Sequence, residues 1–449
     1  MLFEHDGSRG NFTVRIQPSR LRAGGLLALA MLVTVAADAR NLSLPEARPE
    51  SLGFSSERLQ RLDAGMKAVV DSKQLAGIAT VVARRGQVVQ QMTYGHSDIA
   101  GGKPMQMDSI VRIYSMTKPI TGVAMMMLYE EGKWKPSDPI SRHIPEFKDL
   151  KVYAGDGPDG QPKFVAPAHA PTMGELMSHT AGFTYGLFGA TPVDKLYQQS
   201  APLAAKSLQE FIDRMAKLPL LYQPGEAWVY SVGVDIQGYL VEKLSGKAFP
   251  EFLRERIFEP LGMKDTAFYV DRSKMSRLAT VYQWSGDGLS AVPHDKGVNE
   301  PPGLPSGGGG LYSTAADYLR FAQMLGNHGH LDGARLLAPS TVALMTANHV
   351  PDMVKNQNGK FGIGNYRMQP GLGFGFDVAI YEEPLAIGSP TGKGTYLWDG
   401  LAGTWFWIDP TNDVVFLGII QRRGGPASAP NIEDLSRQLT FQALIEPAK

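Results

Sequence analysis

The chain has 449 residues, with 44 Lys+Arg against 44 Asp+Glu and 43% apolar residues. That composition excludes a disordered chain, and the zero formal charge offers no broad basic surface for nucleic acid or an anionic membrane. Cysteine is absent, which excludes disulfides, thiol nucleophiles and thiolate metal sites and suits an oxidising compartment.

Arg15, Arg20 and Arg22 precede an almost wholly apolar run over residues 23–37, followed by Ala37-Asp38-Ala39. The run is short for a membrane span but fits an export signal with an A-x-A cleavage site. Residues 1–39 are therefore expected to be a removed signal segment. The mature protein would be periplasmic or secreted, with no stable membrane insertion. Glu4 and Asp6 make the front end long for such a signal and suggest a start codon further in.

Residues 55–72 read as an amphipathic helix carrying Leu59, Leu62, Met66, Val69 and Val70 on one face. Two β-rich runs follow at 77–83 and 88–94, joined by Arg84-Arg85-Gly86-Gln87, a hairpin signal. Next comes Ile113-Tyr114-Ser115-Met116-Thr117-Lys118-Pro119 at an expected helix start. Ser115 is expected as N-cap, with Pro119 in the first turn and Gly132 at the end. Ile120, Val123, Ala124, Met127 and Leu128 mark its buried face. Positions i and i+3 share a helix face, so Lys118 can touch the Ser115 hydroxyl and, if neutral, take its proton. An ordinary cap with a solvated lysine one turn later fits that tetrad equally well.

Residues 135–171 are Pro- and Gly-rich, with Gly155-Asp156-Gly157-Pro158-Asp159-Gly160 expected as a surface turn and not a calcium loop. Helical patterns over 172–178, 208–218, 234–245 and 249–257 make the middle third largely α. A Gly/Pro-rich link at 301–310 leads to a helix over 314–326 capped by Ser313 or Thr314. Strand patterns at 374–381, 394–398, 404–408 and 414–421 and a closing helix at 432–445 complete the chain. Strands at both ends with helices between predict an α+β fold: an antiparallel sheet built from the N- and C-terminal parts, flanked by helices, with an inserted mainly helical lobe. The lobes are expected at 40–149 with 300–449 (α/β) and at 150–299 (α-helical).

A serine–lysine pair needs a third proton-handling group and donors for an oxyanion. Tyr230, on a short extended piece after Pro224-Gly225, is a candidate. Beside a lysine ammonium its pKa should fall, which suits a base; a tyrosine merely packed at a helix start is the alternative. In the run from Gly394 to Gly403, small residues after an apolar strand let a backbone N–H join that of Ser115. No Gly-x-Ser-x-Gly, His-Glu-x-x-His or P-loop occurs, and His328-Gly329-His330 is a poor metal site. No metal and no cofactor is expected.

Taken together, Tyr-Ser-Met-Thr-Lys-Pro at 114–119, Leu-Met-Ser-His-Thr-Ala-Gly at 176–182, Tyr-Ser-Val-Gly at 230–233, Gly-Gly-Gly-Gly-Leu-Tyr-Ser-Thr at 307–314 and the Trp398-Asp399-Gly400 strand resemble the serine beta-lactamase-like superfamily. The chain looks most similar to class C beta-lactamases and family VIII carboxylesterases. The resemblance implies an acyl-enzyme mechanism in a cleft between two lobes. Ser115 would be the nucleophile, Lys118 its activating partner and Tyr230 the general base and proton shuttle. The N–H groups of Ser115 and Leu401 would form the oxyanion hole. His179 and the glycines at 307–310 would be structural.

Two departures narrow the activity. Tyr230-Ser231-Val232 lacks the asparagine of Tyr-x-Asn, and Trp398-Asp399-Gly400 replaces Lys-Thr-Gly. Asp399 would repel the carboxylate that beta-lactams and D-Ala-D-Ala peptides carry, whereas Trp398 offers an apolar surface. The expectation is a serine carboxylesterase (EC 3.1.1-type) acting on small uncharged esters, with Trp398, Asp399 and Gly400 at the substrate. The alternatives are a beta-lactamase or D-amino-acid peptidase, and a non-catalytic relative binding cell-wall peptide or a partner protein. Tyr185, Leu187 and Phe188 could line the pocket, whose shape would depend on loops 183–200 and 350–373.

Overall fold

The computed structural model describes residues 44–286, 288–355, 362–363, 366–367, 370–426 and 431–447. The expected signal segment and part of the 350–373 loop lie outside these residues. Helix α1 (Ser56–Asp71) begins at Ser55, whose side chain accepts from the Arg58 N–H, and it buries Leu59, Leu62, Met66 and Val69. Strands β1 (Gly77–Arg84) and β2 (Gln87–Asp98) meet through Arg85 and Gly86, at φ 50° and 78°. Two successive left-handed residues give that hairpin turn the twist of its strands.

The rest of the sheet comprises β3 (Lys103–Pro104), β4 (Leu372–Phe374), β5 (Ala379–Tyr381), β6 (Thr395–Asp399), β7 (Trp405–Asp409) and β8 (Val414–Ile419). Their order is β4-β5-β6-β7-β8-β1-β2-β3, antiparallel throughout. The two ends of the chain meet where Val82 of β1 lies opposite Phe416 of β8. This is the antiparallel sheet that the pattern predicts.

The middle of the chain is mostly helical. Helix α2 (Thr117–Glu130) is buried nearly all round, not on one face alone, since Met125 and Met126 are as enclosed as Ile120 and Val123. Helix α3 (Met173–Met177) starts with a capping box between Thr172 and Glu175, and α4 (Gly233–Ser245) ends at Gly246, φ 73°. The 249–257 pattern forms a helix only over Phe249–Leu253 and continues as a π turn. A helix at Pro192–Ser200 goes unpredicted, although Thr191 and Asp194 form a capping box there. The 135–171 stretch contains a hairpin, Val152–Asp156 with Val165 opposite Val152, and the glycine-rich turn is its tip.

Residues 374–381 are not one strand. Asp377, at φ 64°, and the Gly375 N–H bond to the Val378 carbonyl fold them into the turn between β4 and β5. Alternation along β7 shows how the sheet is covered. Trp405 and Trp407 donate their indole N–H groups to Ser436 of α6 (Ile432–Phe441), each at 3.2 Å. Phe406, pointing the other way, packs at 5.6 Å ring to ring against Tyr318 of α5 (Ala315–Gly326). Helix α6, with α1 packed on it, thus covers one face and α5 the other. Among the described residues no helix is long and apolar enough to cross a membrane.

Candidate active site

Ser115 is not the N-cap of α2. It sits in a 3₁₀ turn, Tyr114–Met116, and Met116 holds the cap position without a side-chain bond. Tyr114 causes the difference: at φ 45° it turns the chain before the helix begins, so the Ser115 side chain serves a cavity and not its own helix. The Arg423 guanidinium donates to the Tyr114 hydroxyl, and that of Arg112 lies 4.5 Å from the ring centroid.

Three side chains distant in the sequence meet at Ser115. The Tyr230 hydroxyl donates to Ser115 Oγ at 2.7 Å, and Lys118 Nζ lies 3.4 Å from the same oxygen. Lys118 Nζ also donates to the Gly308 carbonyl at 2.6 Å and lies 4.4 Å from the centre of the Tyr230 ring. Lys118 is fully enclosed; burial lowers its pKa to about 8, against the opposing pull of Asp235, Asp377 and Asp399. An amine so held is largely uncharged in mild alkali and can accept a proton.

Tyr230 corrects the sequence-based expectation. Its pKa is not lowered by the neighbouring ammonium; burial pushes it well above the ordinary phenol value, and the Ser115 and Trp398 hydrogen bonds do not offset that. Its ring is enclosed by Tyr185, Trp228 and Trp398 at centroid separations of 5.3, 6.3 and 5.5 Å. Tyr230 is therefore a protonated donor in this site. His179 braces it without joining the proton path. The His179 carbonyl accepts from the Val229 N–H at 2.9 Å, and its Nδ1 pairs with Ser231 Oγ at 3.1 Å, fixing the extended piece that carries Tyr230. Burial and the Lys118 charge keep its imidazole neutral.

Ser115 and Tyr230 open onto a cavity of about 590 Å³ that also includes Trp398, Asp399 and Leu401 in its wall. Gly400 places the last of these: a Cβ there would lie 2.3 Å from the Ile113 carbonyl oxygen and 2.4 Å from Thr404 Oγ1. Only glycine lets the end of β6 press so closely on the Ile113 backbone ahead of Ser115. Trp398 is buried and packs edge to face on Phe374. Asp399 hydrogen-bonds Glu433, whose carboxyl burial and Asp399 raise to about 8. Tyr185, Leu187 and Phe188 all line the cavity, as anticipated, whereas no described residue of 350–373 does.

The sequence reading missed two contributors. The glycine segment at 307–310 does more than form a junction, because the Gly308 carbonyl receives Lys118; four consecutive glycines were the available signal. A wall running from Asp295 to Leu304 also went unnoticed, and no local pattern announces it.

Residues 62–440 match the family described as Beta-lactamase. The chain belongs to this family; its serine and tyrosine line one cavity, and the buried lysine reaches the serine oxygen. An uncharacterized protein of Mycobacterium tuberculosis is 36% identical over 368 residues, covering 80% of this chain and 88% of that protein. Esterase EstB of Burkholderia gladioli is 31% identical over 370 residues, covering 78% of this chain and 86% of EstB. Among solved structures, EstCE1, a hydrolase with promiscuous acyltransferase activity, superposes with a TM-score of 0.72 at 25% identity, covering 86% of this chain and 99% of its own.

Proposed function

We propose that this protein is a serine carboxylesterase that cleaves small, uncharged carboxylic esters through an acyl-Ser115 intermediate. The observation that carries this reading is the convergence of the Tyr230 hydroxyl and the Lys118 amine on Ser115 Oγ, at 2.7 and 3.4 Å. Neutral Lys118 takes the serine proton as Oγ attacks the ester carbonyl carbon. The N–H groups of Ser115 and Leu401 receive the oxygen that becomes negative. Tyr230 then gives its proton to the departing alkoxide, and the Lys118 ammonium against its ring favours the phenolate left behind. Water releases the acyl group by the same steps reversed in role.

An ester is favoured over a beta-lactam or a peptide because Asp399 lines the cavity beside Trp398 and would repel the carboxylate that those substrates carry. Leu187, Phe188, Leu203 and Leu401 give the cavity an exposed apolar rim, which suits an uncharged acyl or alcohol group. The likeness to EstB supports the same choice. A pure binding role leaves the assembled triad without a purpose. In this reading residues 40–149 with 300–449 form the lobe carrying Ser115 and Trp398, and 150–299 the lobe that brings Tyr230. Export, with removal of residues 1–39, is part of the proposal and rests on the Arg15–Ala39 pattern.

The test compares p-nitrophenyl acetate and butyrate with nitrocefin, alongside fluorophosphonate labelling of wild type and Ser115→Ala. Ester turnover and labelling that vanish in the variant are expected. Rapid nitrocefin turnover with inert esters, or a folded wild type that does not label, overturns the reading. N-terminal sequencing of the exported protein tests the cleavage.

A further inference from the structure

We propose that Asp235 is a positioning residue for Lys118: its carboxylate anchors the glycine segment that holds the amine and supplies the anion that the buried ammonium requires. The inference rests on the esterase reading and concerns how its base is tuned. Asp235 lies in the first turn of α4 and is fully buried. Its Oδ1 accepts from Ser306 Oγ and, at 3.1 Å, from the Gly308 N–H. The carbonyl of that same Gly308 accepts from Lys118 Nζ at 2.6 Å, and the Gly307 carbonyl accepts from Thr121 Oγ1 at 2.9 Å. One glycine therefore links carboxylate and amine, its N–H on Asp235 and its carbonyl on Lys118. The fit excludes any side chain there: a Cβ on Gly308 would lie 2.5 Å from Asp235 Oδ2 and 2.7 Å from Tyr185 Oη.

The groups facing Lys118 are the carboxyls of Asp235, Asp377 and Asp399, the phenols of Tyr185 and Tyr230, and the His179 imidazole. Burial keeps both phenols and the imidazole uncharged. Asp377 is as buried as Asp235 but receives Gln237 Nε2 at 3.0 Å where Asp235 receives two donors; the second oxygen of each carboxyl has no hydrogen-bond partner among the described residues. Burial pushes the Asp377 pKa well above the ordinary carboxyl value. Asp399 is engaged with Glu433 on α6. Burial raises the Asp235 pKa as well, but the Lys118 charge, the Ser306 hydroxyl and the Gly308 N–H oppose it, so of the two fully buried carboxyls it is the better stabilised as an anion. Of the charges that raise the Lys118 pKa toward about 8 against burial, its contribution is the largest. With one proton donated to Gly308, the neutral amine can turn its lone pair to the Ser115 hydroxyl.

The test is the pH profile of kcat/KM for p-nitrophenyl butyrate, measured on the full chain. Asp235→Asn removes the charge and keeps an acceptor for both donors. The ammonium loses its counter-ion and gives up its proton more readily, so the acid limb moves down by about one pH unit. Asp377→Asn leaves the limb in place. Ser306→Ala removes one donor without touching the carboxylate and shifts the limb the same way by less; it carries the test should Asp235→Asn not fold. The inference falls if an active, fluorophosphonate-labelled Asp235→Asn loses turnover with its acid limb unmoved, which is what a purely structural role gives. It also falls if Asp377→Asn moves the limb instead, or if Ser306→Ala leaves it unmoved. A wild type that neither labels nor turns over esters would defeat the esterase reading, a result distinct from all of these.

Discussion

The Tyr230 hydroxyl donates to Ser115 Oγ at 2.7 Å from a site whose burial keeps the phenol protonated. A donor at that oxygen cannot first strip it; it can deliver a proton to what leaves. Tyr230→Phe keeps the ring contacts and removes only this proton. It should lower kcat by about 10²–10⁴-fold, with KM nearly unchanged. Steady-state kinetics on p-nitrophenyl butyrate check this, and a variant retaining most of its turnover would remove Tyr230 from the proton path.

Lys118 sets the pH dependence. The amine works when uncharged, and burial lowers its pKa to about 8. Below that value the protonated, inactive fraction grows, so kcat/KM should fall about tenfold per pH unit on the acid side and level off above the limb. No descending limb from Tyr230 is expected in mild alkali, because its pKa is displaced upward. Lys118→Met, which cannot accept a proton, should abolish the profile together with the activity. A flat profile from pH 6 to 9 in wild type would contradict the assignment of Lys118 as base.

What could be read in advance follows from how local each cause is. The Arg85-Gly86 turn and the helix expected over 55–72 are set by neighbouring residues, and both lie where the pattern puts them. The Ser-x-x-Lys spacing likewise places Lys118 within reach of Ser115 through one helical turn. The start of α2 was misplaced because a left-handed tyrosine, not a glycine, makes the turn, and its Arg423 partner is remote in sequence. The direction of the Tyr230 shift was invisible for the same reason. It depends on Trp398, Trp228 and Tyr185 closing around one phenol, a fact of packing and not of spacing.

The rim predicts chain-length selectivity. Leu187 and Phe188 line the cavity yet are 65% and 58% exposed, so each offers apolar surface that a bound acyl or alcohol chain can cover. Covering part of one such side chain amounts to about 1 kcal/mol, or roughly fivefold in kcat/KM. Leu187→Ser with Phe188→Ser should therefore reduce kcat/KM for hexanoate esters by about 10–30-fold and for acetate esters much less. A substrate series on wild type and double variant measures the ratio. Equal losses on acetate and hexanoate would mean that these residues shape the fold of the loop and not the chain-binding surface.

Two glycines separate backbone freedom from close approach. Gly86, at φ 78°, has nothing within 4 Å of where a Cβ would stand. Gly86→Ala should lower stability by about 1 kcal/mol, the cost of a left-handed alanine, and leave esterase activity intact. Gly400 presents the opposite case. Its Cβ would meet the Ile113 carbonyl oxygen at 2.3 Å, and backbone cannot step aside as a side-chain tip can. Gly400→Ala should destabilise by about 1–3 kcal/mol and, because Ile113 lies two residues before Ser115, also lower kcat about tenfold or more. Thermal melts and ester kinetics on both variants give the comparison. If Gly400→Ala melted lower but turned over esters like wild type, the contact between Gly400 and Ile113 would serve the fold alone.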